Sequence, residues 1–187
     1  MRVISGAARG RTLHPPAGNR IRPTADRVKE AVFSSLASRF GSLEGLTILD
    51  LFSGSGSLGI EALSRGSKSA VFVDSHPDSI RLSRENLELT GFDKIATLIL
   101  MDAAKALQHL FNKGMTFDII FVDPPYADRE ISDRIIGLLG ELGLTTLEGV
   151  LVFETDNRCE LHPPDKFQLS SRKVYGDTAI WMFCRID

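Results

Sequence analysis

Cysteine is nearly absent from this chain of 187 residues: Cys159 and Cys184 lie far apart and in no Cys-x-x-Cys pattern. A disulfide framework or thiolate metal site is therefore excluded as an organising element. His14, His76, His109 and His162 are equally scattered and offer no metal-ligand spacing. No apolar run is long enough to span a membrane, and the first residues lack the apolar stretch of a secretory leader. A soluble, cytoplasmic chain is the expectation. Repeats and low-complexity segments are missing too, which removes solenoid and linker architectures. A chain of this length fits one domain whose core needs no metal or covalent staple.

Charge of one sign is also lacking overall, with 22 basic against 24 acidic residues and a net of -2. The distribution is uneven. Residues 1–29 hold Arg2, Arg9, Arg11, Arg20, Arg22, Arg27 and Lys29 against Asp26 alone, a local net of +6, and the remainder carries -8. A basic arm on an acidic body suggests an anionic partner engaged at one place. The plainer reading is a solvated terminus with no specific partner.

From about Leu46, short apolar runs alternate with amphipathic stretches, the pattern of βα units around a parallel sheet. Strands are expected at Thr47–Leu51, Ala70–Asp74, Ala96–Met101, Phe117–Val122 and Val150–Glu154, with helices between them. Pro77 suits a first helical turn, Ile80, Leu82, Leu87 and Leu89 supply apolar surface, and Gly91 ends that helix. Phe167–Tyr175 and Thr178–Ile186 are joined only by Gly176-Asp177, too close for a crossover, so an antiparallel hairpin is expected. Ahead of this core, Thr24 is a candidate N-cap, and Val28, Val32, Leu36 and Phe40 recur at helical spacing. Residues 1–20, punctuated by Gly6, Gly10, Pro15, Pro16 and Gly18, read as a basic hairpin or arm, with residues 21–187 as the main domain.

Two motifs carry chemistry. Gly54, Gly56 and Gly59 form a GxGxxG turn at the end of the first strand, and Asp74 ends the second strand twenty residues after Gly54. Glycines let backbone amides approach a ligand, and the spaced acid suits ribose hydroxyls, so a nucleoside-containing ligand is expected. Asp50 can accept from a ligand's ammonium group or support loop amides. S-adenosylmethionine (SAM) has an ammonium group and NAD does not; a diphosphate would prefer positive charge at the helix start. This favours SAM. Asp102 can accept from an adenine amino group, cap the following helix, or do both.

The second motif, Asp123-Pro124-Pro125-Tyr126, follows a strand directly. Two prolines cannot continue a sheet ladder and hold a stiff turn where open α/β sheets place ligands. Asp123 and the Pro124 carbonyl can accept both N–H bonds of an amino group on a planar ring, with Tyr126 stacked on its face.

These residues resemble the bacterial 16S ribosomal RNA guanine-N2 methyltransferases. The likeness spans Met1-Arg2-Val3-Ile4-Ser5-Gly6 with Arg9-Gly10-Arg11, Arg22-Pro23-Thr24 with Asp26-Arg27-Val28-Lys29-Glu30, and Phe33. It continues through Asp50-Leu51-Phe52-Ser53-Gly54-Ser55-Gly56, Glu61-Ala62-Leu63-Ser64-Arg65-Gly66, the Asp123 motif and Tyr175-Gly176-Asp177-Thr178. The resemblance implies an α/β, Rossmann-like class I methyltransferase: a mostly parallel sheet with a C-terminal antiparallel hairpin and a short basic N-terminal arm. It implies SAM contacts from Asp50, Phe52, Ser53, Gly54, Gly56, Asp74, Ser75, Asp102 and Ala103, and no metal. Asp123, Pro124 and Tyr126 would be catalytic, and Arg2, Arg9, Arg11, Arg22, Thr24 and Pro125 would meet 16S RNA or the 30S subunit. Asp74 stands where the family usually has Glu, and Met101 where it favours Gly. A monomer is expected, since no spare apolar helix stands out. The competing readings are an adenine-N6 methyltransferase, an NAD-dependent oxidoreductase and a non-catalytic RNA-binding protein.

Overall fold

Strands that are apolar on both faces need cover on both sides, and the alternation along each strand divides that cover. The computed structural model describes residues 1–16, 23–124 and 129–186. Strands β1 (Thr47–Leu51), β2 (Ser69–Asp74), β3 (Ala96–Leu100), β4 (Phe117–Val122) and β5 (Thr145–Asp156) run parallel, and β6 (Phe167–Tyr175) and β7 (Thr178–Arg185) form the hairpin. The order across the sheet is β3-β2-β1-β4-β5-β7-β6, with β7 antiparallel to both its neighbours. The mostly parallel sheet closed by a C-terminal hairpin is as expected. Strand β5 is longer than its apolar run suggested, starting at Thr145, while β3 and β7 each stop one residue short of the expected end.

Helices α1 (Pro23–Phe40), α2 (Ser57–Ser64) and α3 (Pro77–Thr90) cover one face, meeting Ile48, Phe72, Ile119 and Phe121 of the central strands. Helices α4 (Ala103–Asn112) and α5 (Arg129–Leu142) cover the other, meeting Leu49, Leu51, Ile120 and Val122. In α1, Val28, Val32 and Leu36 are buried as the spacing predicts, together with Phe33. The helix starts at Pro23, so Thr24 lies in its first turn and is not the N-cap; proline suits a first helical position because its missing N–H would have no partner there. In α3, Ile80 and Leu87 are buried but Leu89 is exposed, and Gly91 closes the helix in the left-handed conformation. Among the described residues no helix is long and apolar enough to cross a membrane.

The N-terminal residues fold as a hairpin: Val3 N donates to Arg11 O (2.9 Å), Gly10 N to Val3 O (2.9 Å) and Leu13 N to Met1 O (2.9 Å). Val3, Ala8 and Leu13 are buried in the same cluster as α1 and α2. The hairpin rests on α2 so closely that a Cβ on Gly6, at φ +83°, would stand 1.7 Å from the Ser64 carbonyl oxygen. Beneath it lies Glu61, fully buried. Its carboxylate accepts from Ile4 N (2.7 Å), Ser5 N (3.0 Å) and Arg65 Nε (2.8 Å), and Lys29 Nζ stands 3.5 Å away.

Lys29 is therefore not one of the solvated charges that the sequence suggested. Its ammonium is buried, donates to Arg2 O (2.6 Å) and Ser57 Oγ (3.2 Å), and burial lowers its pKa against the opposing pull of Glu61. Replacing Glu61 with Ala would leave this buried cation without a counter-charge. A stability loss of about 3–5 kcal/mol is expected in urea unfolding. A loss below about 1 kcal/mol, the worth of one ordinary hydrogen bond, would mean that apolar contacts alone hold the hairpin.

Candidate active site

Strand β1 leads to β2 on one side and, in space, abuts β4 on the other, so the chain reverses its direction of travel across the sheet between β1 and β4. Ligands of open α/β sheets bind at the carboxyl ends of strands beside such a switch point. Leu51 pairs with both Val73 and Val122, and Asp74 pairs with Leu100. The segments that follow these strands therefore align along one edge: Met101-Asp102, Asp74-Ser75, the glycine turn and Asp123-Pro124. The strand register thus sets Asp102, Asp74, Ser75, the glycine turn, Asp123 and Pro124 at neighbouring strand ends. Arg22, Pro125 and Tyr126 lie outside the described residues, as does the side chain of Thr24.

The glycine turn is held from below. Gly54 and Gly56 have φ of +53° and +77°, and Gly54 O accepts from Ser83 Oγ (2.9 Å) of α3. A Cβ on Gly59 would stand 2.3 Å from the Phe72 ring, so α2 could not approach β2 with a larger residue there. Phe52, just before the turn, holds a left-handed φ of 59°, a conformation that costs on the order of 1–3 kcal/mol in a non-glycine residue. Strain of this kind is retained where the surroundings fix it. Among the described residues the buried Ser53 hydroxyl has no hydrogen-bond partner.

Two carboxylates fix the turn. Asp74 accepts from Gly54 N (3.0 Å) and His76 N (2.9 Å), one on each oxygen, and each oxygen has a further lone pair. Asp50 is buried beneath the turn and accepts from Gly59 N at 2.9 Å. Of the two roles open to Asp50, supporting an amide is the one visible. Burial pushes its carboxyl up to about 7; the Gly59 amide opposes that rise and the Asp74 charge adds to it. Asp102 is exposed and caps α4, accepting from Lys105 N at 3.2 Å. Ser75 is exposed at the crevice, whereas the Ala103 side chain belongs to the core, leaving its backbone amide at the helix start. Among the described residues no group of three or more His, Cys, Asp or Glu side chains could hold a metal ion.

On the acceptor side, Asp123 is half-buried and Pro124 buried. Arg9 and Arg11 are exposed on the hairpin; Arg2 is exposed as well but lies 3.5 Å from Asp26. Sequence reasoning missed Ser83, Asn86, Lys29 and Glu61 as builders of this site. The available signal was polarity out of place. Ser83 and Asn86 interrupt the inward face of α3 beside Ile80 and Leu87, and both are fully buried.

A glycine turn, acids at successive strand ends and a reversed last strand define a class I methyltransferase architecture. The chain belongs to the family described as Conserved hypothetical protein 95, which it matches over residues 1–184. It is 36% identical over 184 residues to the putative rRNA methyltransferase YlbH of Bacillus subtilis, covering 98% of each chain. It is 33% identical over 190 residues to ribosomal RNA small subunit methyltransferase D of Escherichia coli K12, covering 99% of this chain and 90% of that one. The solved structure of the putative methyltransferase yhhF from Escherichia coli superposes with a TM-score of 0.84 at 34% identity, covering 99% of this chain and 97% of that one.

The raised Asp50 pKa has a definite sign. Its unfolded value is 3.8, so between about pH 4 and pH 7 the unfolded state sheds a proton that the unliganded folded state retains, and folding stability falls across that window. Asp50→Asn should lack this slope. Its stability relative to the natural protein is expected to rise with pH from about 4 to 7 and then level off. Urea unfolding at a series of pH values measures it, and parallel curves would mean that Asp50 ionises freely in the fold.

Proposed function

We propose that this chain transfers a methyl group from S-adenosylmethionine to the exocyclic N2 amino group of a guanine in 16S ribosomal RNA. Methylation of ribosomal RNA is the reading favoured by the relatives that match nearly its whole length. The observation that carries the chemistry is the side-by-side placing of Asp123-Pro124 and the glycine turn across the β1/β4 switch point. The fit of the donor rests on the buried, unpartnered Ser53 hydroxyl and on a buried carboxylate, Asp50, that has no cation beside it among the described residues.

Asp74 would accept from ribose hydroxyls with its remaining lone pairs, and Ser53, with the backbone at Phe52, Gly54 and Gly56, would line the methionine side. Asp50 would steady the turn and meet the ammonium group. Asp102, with Ser75 and the Ala103 amide, would border the adenine. S-adenosylmethionine supplies, when bound, a methyl group activated by its sulfonium. The protein's task is then to present a poor nucleophile, because the guanine N2 lone pair is delocalised into the ring. Hydrogen bonds from N2 to Asp123 and to the Pro124 carbonyl would favour the pyramidal amine and aim its lone pair. Positioning of this kind, with electrostatic support for the positive charge developing on N2, supplies much of the rate. Asp123 need not take a proton before transfer, since the amine becomes acidic only afterwards. The base must be unpaired or flipped out to enter, and Tyr126 and Pro125 are proposed to hold its face.

Residues 1–20 would act as the RNA-facing part, through Arg9, Arg11 and Arg2, and Arg22 and Thr24 are proposed to join them in meeting the RNA. Arg2 remains available because an exposed ion pair such as that with Asp26 is weak and readily exchanged. The working unit is proposed to be a cytoplasmic monomer acting on 16S RNA, free or within the 30S subunit.

Labelled methyl transfer to undermodified 30S subunits, followed by nucleoside analysis, is expected to give N2-methylguanosine. N6-methyladenosine would keep the mechanism and overturn the base. Asp123→Ala is expected to lower turnover by about 100-fold or more while the donor still binds; a near-normal single-turnover rate would remove Asp123 from the mechanism. Replacing Arg9 and Arg11 together with Ala should flatten the slope of log affinity for RNA against log salt by about 1.4, at roughly 0.7 per phosphate contact with single strands.

A further inference from the structure

Asn86 joins the two halves of the site that the proposed reaction must bring together. It sits in α3, fully buried, outside the residues assigned to donor or substrate. Its carboxamide pairs in two directions with the backbone of one residue at the hairpin exit: His14 N donates to Oδ1 (2.7 Å), and Nδ2 donates to His14 O (3.1 Å). The second N–H of the same group donates to Ser55 O in the glycine turn (2.9 Å). Three of its four hydrogen-bonding positions are thus divided between the hairpin and the turn. One side chain too short to move either bond independently fixes the distance between them.

The connection is closed at a second point. Lys29 donates to Arg2 O at the start of the hairpin and to Ser57 Oγ at the start of α2, immediately after the turn. The hairpin is therefore tied to the glycine turn at both of its ends, through Asn86 at His14 and through Lys29 at Arg2. Neither segment can shift without breaking polar bonds that are buried or partly buried, each costly to leave unmade. Ordering one segment by its ligand spares part of the ordering cost for the ligand of the other, which is positive coupling between two sites.

We propose that Asn86 is a positioning residue that couples RNA engagement at the hairpin to donor binding at the glycine turn, so that each ligand raises the affinity for the other. The inference rests on the assignment of the turn to SAM and of the hairpin to RNA made above.

His14 allows a test that leaves Asn86 in place. Its side chain is exposed, and only its backbone bonds to Asn86. His14→Pro deletes the N–H donor, whereas His14→Ala retains it and serves as the control. The readout is the affinity of the protein for undermodified 30S subunits, with and without saturating S-adenosylhomocysteine. In the natural protein and His14→Ala, S-adenosylhomocysteine is expected to tighten binding by about fivefold or more, the lower end of ordinary coupling. In His14→Pro and Asn86→Leu the factor should fall below about twofold, with thermal unfolding showing that both variants remain folded. A merely structural Asn86 would lower stability and leave the ratio unchanged, and an unchanged ratio in folded His14→Pro overturns the proposal. A factor of one in the natural protein overturns it as well. Failure of the natural protein to bind S-adenosylhomocysteine at all would instead overturn the donor assignment beneath it.

Discussion

A single buried carboxylate, that of Glu61, sets the relation between the N-terminal hairpin and the sheet. Its two oxygens serve two backbone amides of the hairpin, the guanidinium of Arg65 just past α2, and the ammonium of Lys29 in α1. An ionised carboxylate offers about four lone-pair positions, and four donors surround this one. Burying a charge is costly, and these four donors are what offsets that cost here. The glycine turn inherits its geometry from this arrangement, because α2 carries both Glu61 and the end of the turn, and Lys29 reaches from Glu61 to Ser57.

The same helix imposes a second constraint on the crevice. Gly59 lets α2 lie against Phe72, and the close approach brings the Gly59 amide to Asp50. A carboxylate shut in by this contact stays partly protonated near neutrality, whereas Asp74, bonded to two amides, holds the adjoining strand end. The two acids of one crevice are thus differently placed: one steadies the turn from beneath and one faces along the strand ends.

Strand and helix periodicity made the sheet, the order of its parallel strands along the chain and the closing hairpin legible before any coordinates. The glycine spacing with Asp74, and the proline pair after Asp123, marked the carboxyl ends of β1, β2 and β4 in the sequence because both features act locally on the backbone. Strand order was not legible, since periodicity carries no information about neighbours. The status of Lys29 was hidden for a similar reason: a lysine following six arginines reads as solvated until a glutamate 32 positions further on is seen beneath it. Asn86 is one polar residue among many along α3, and only its bonds to His14 and Ser55 give it a task. Thr145 was missed as the start of β5 because Gly149 interrupts the apolar pattern there.

The partners of the hairpin bear on the order in which the chain can fold as it is made. Ile4, Ser5 and Ala8 bond to groups 56 or 57 positions later, and His14 to a group 72 positions later. At translation speeds of about 5–20 residues per second, the His14 amide waits roughly 4–14 seconds for Asn86 to be synthesised. The hairpin is thus made well before the partners that hold it in place. Throughout that interval a strongly basic segment without its native partners would lie near the ribosome's own polyanionic RNA.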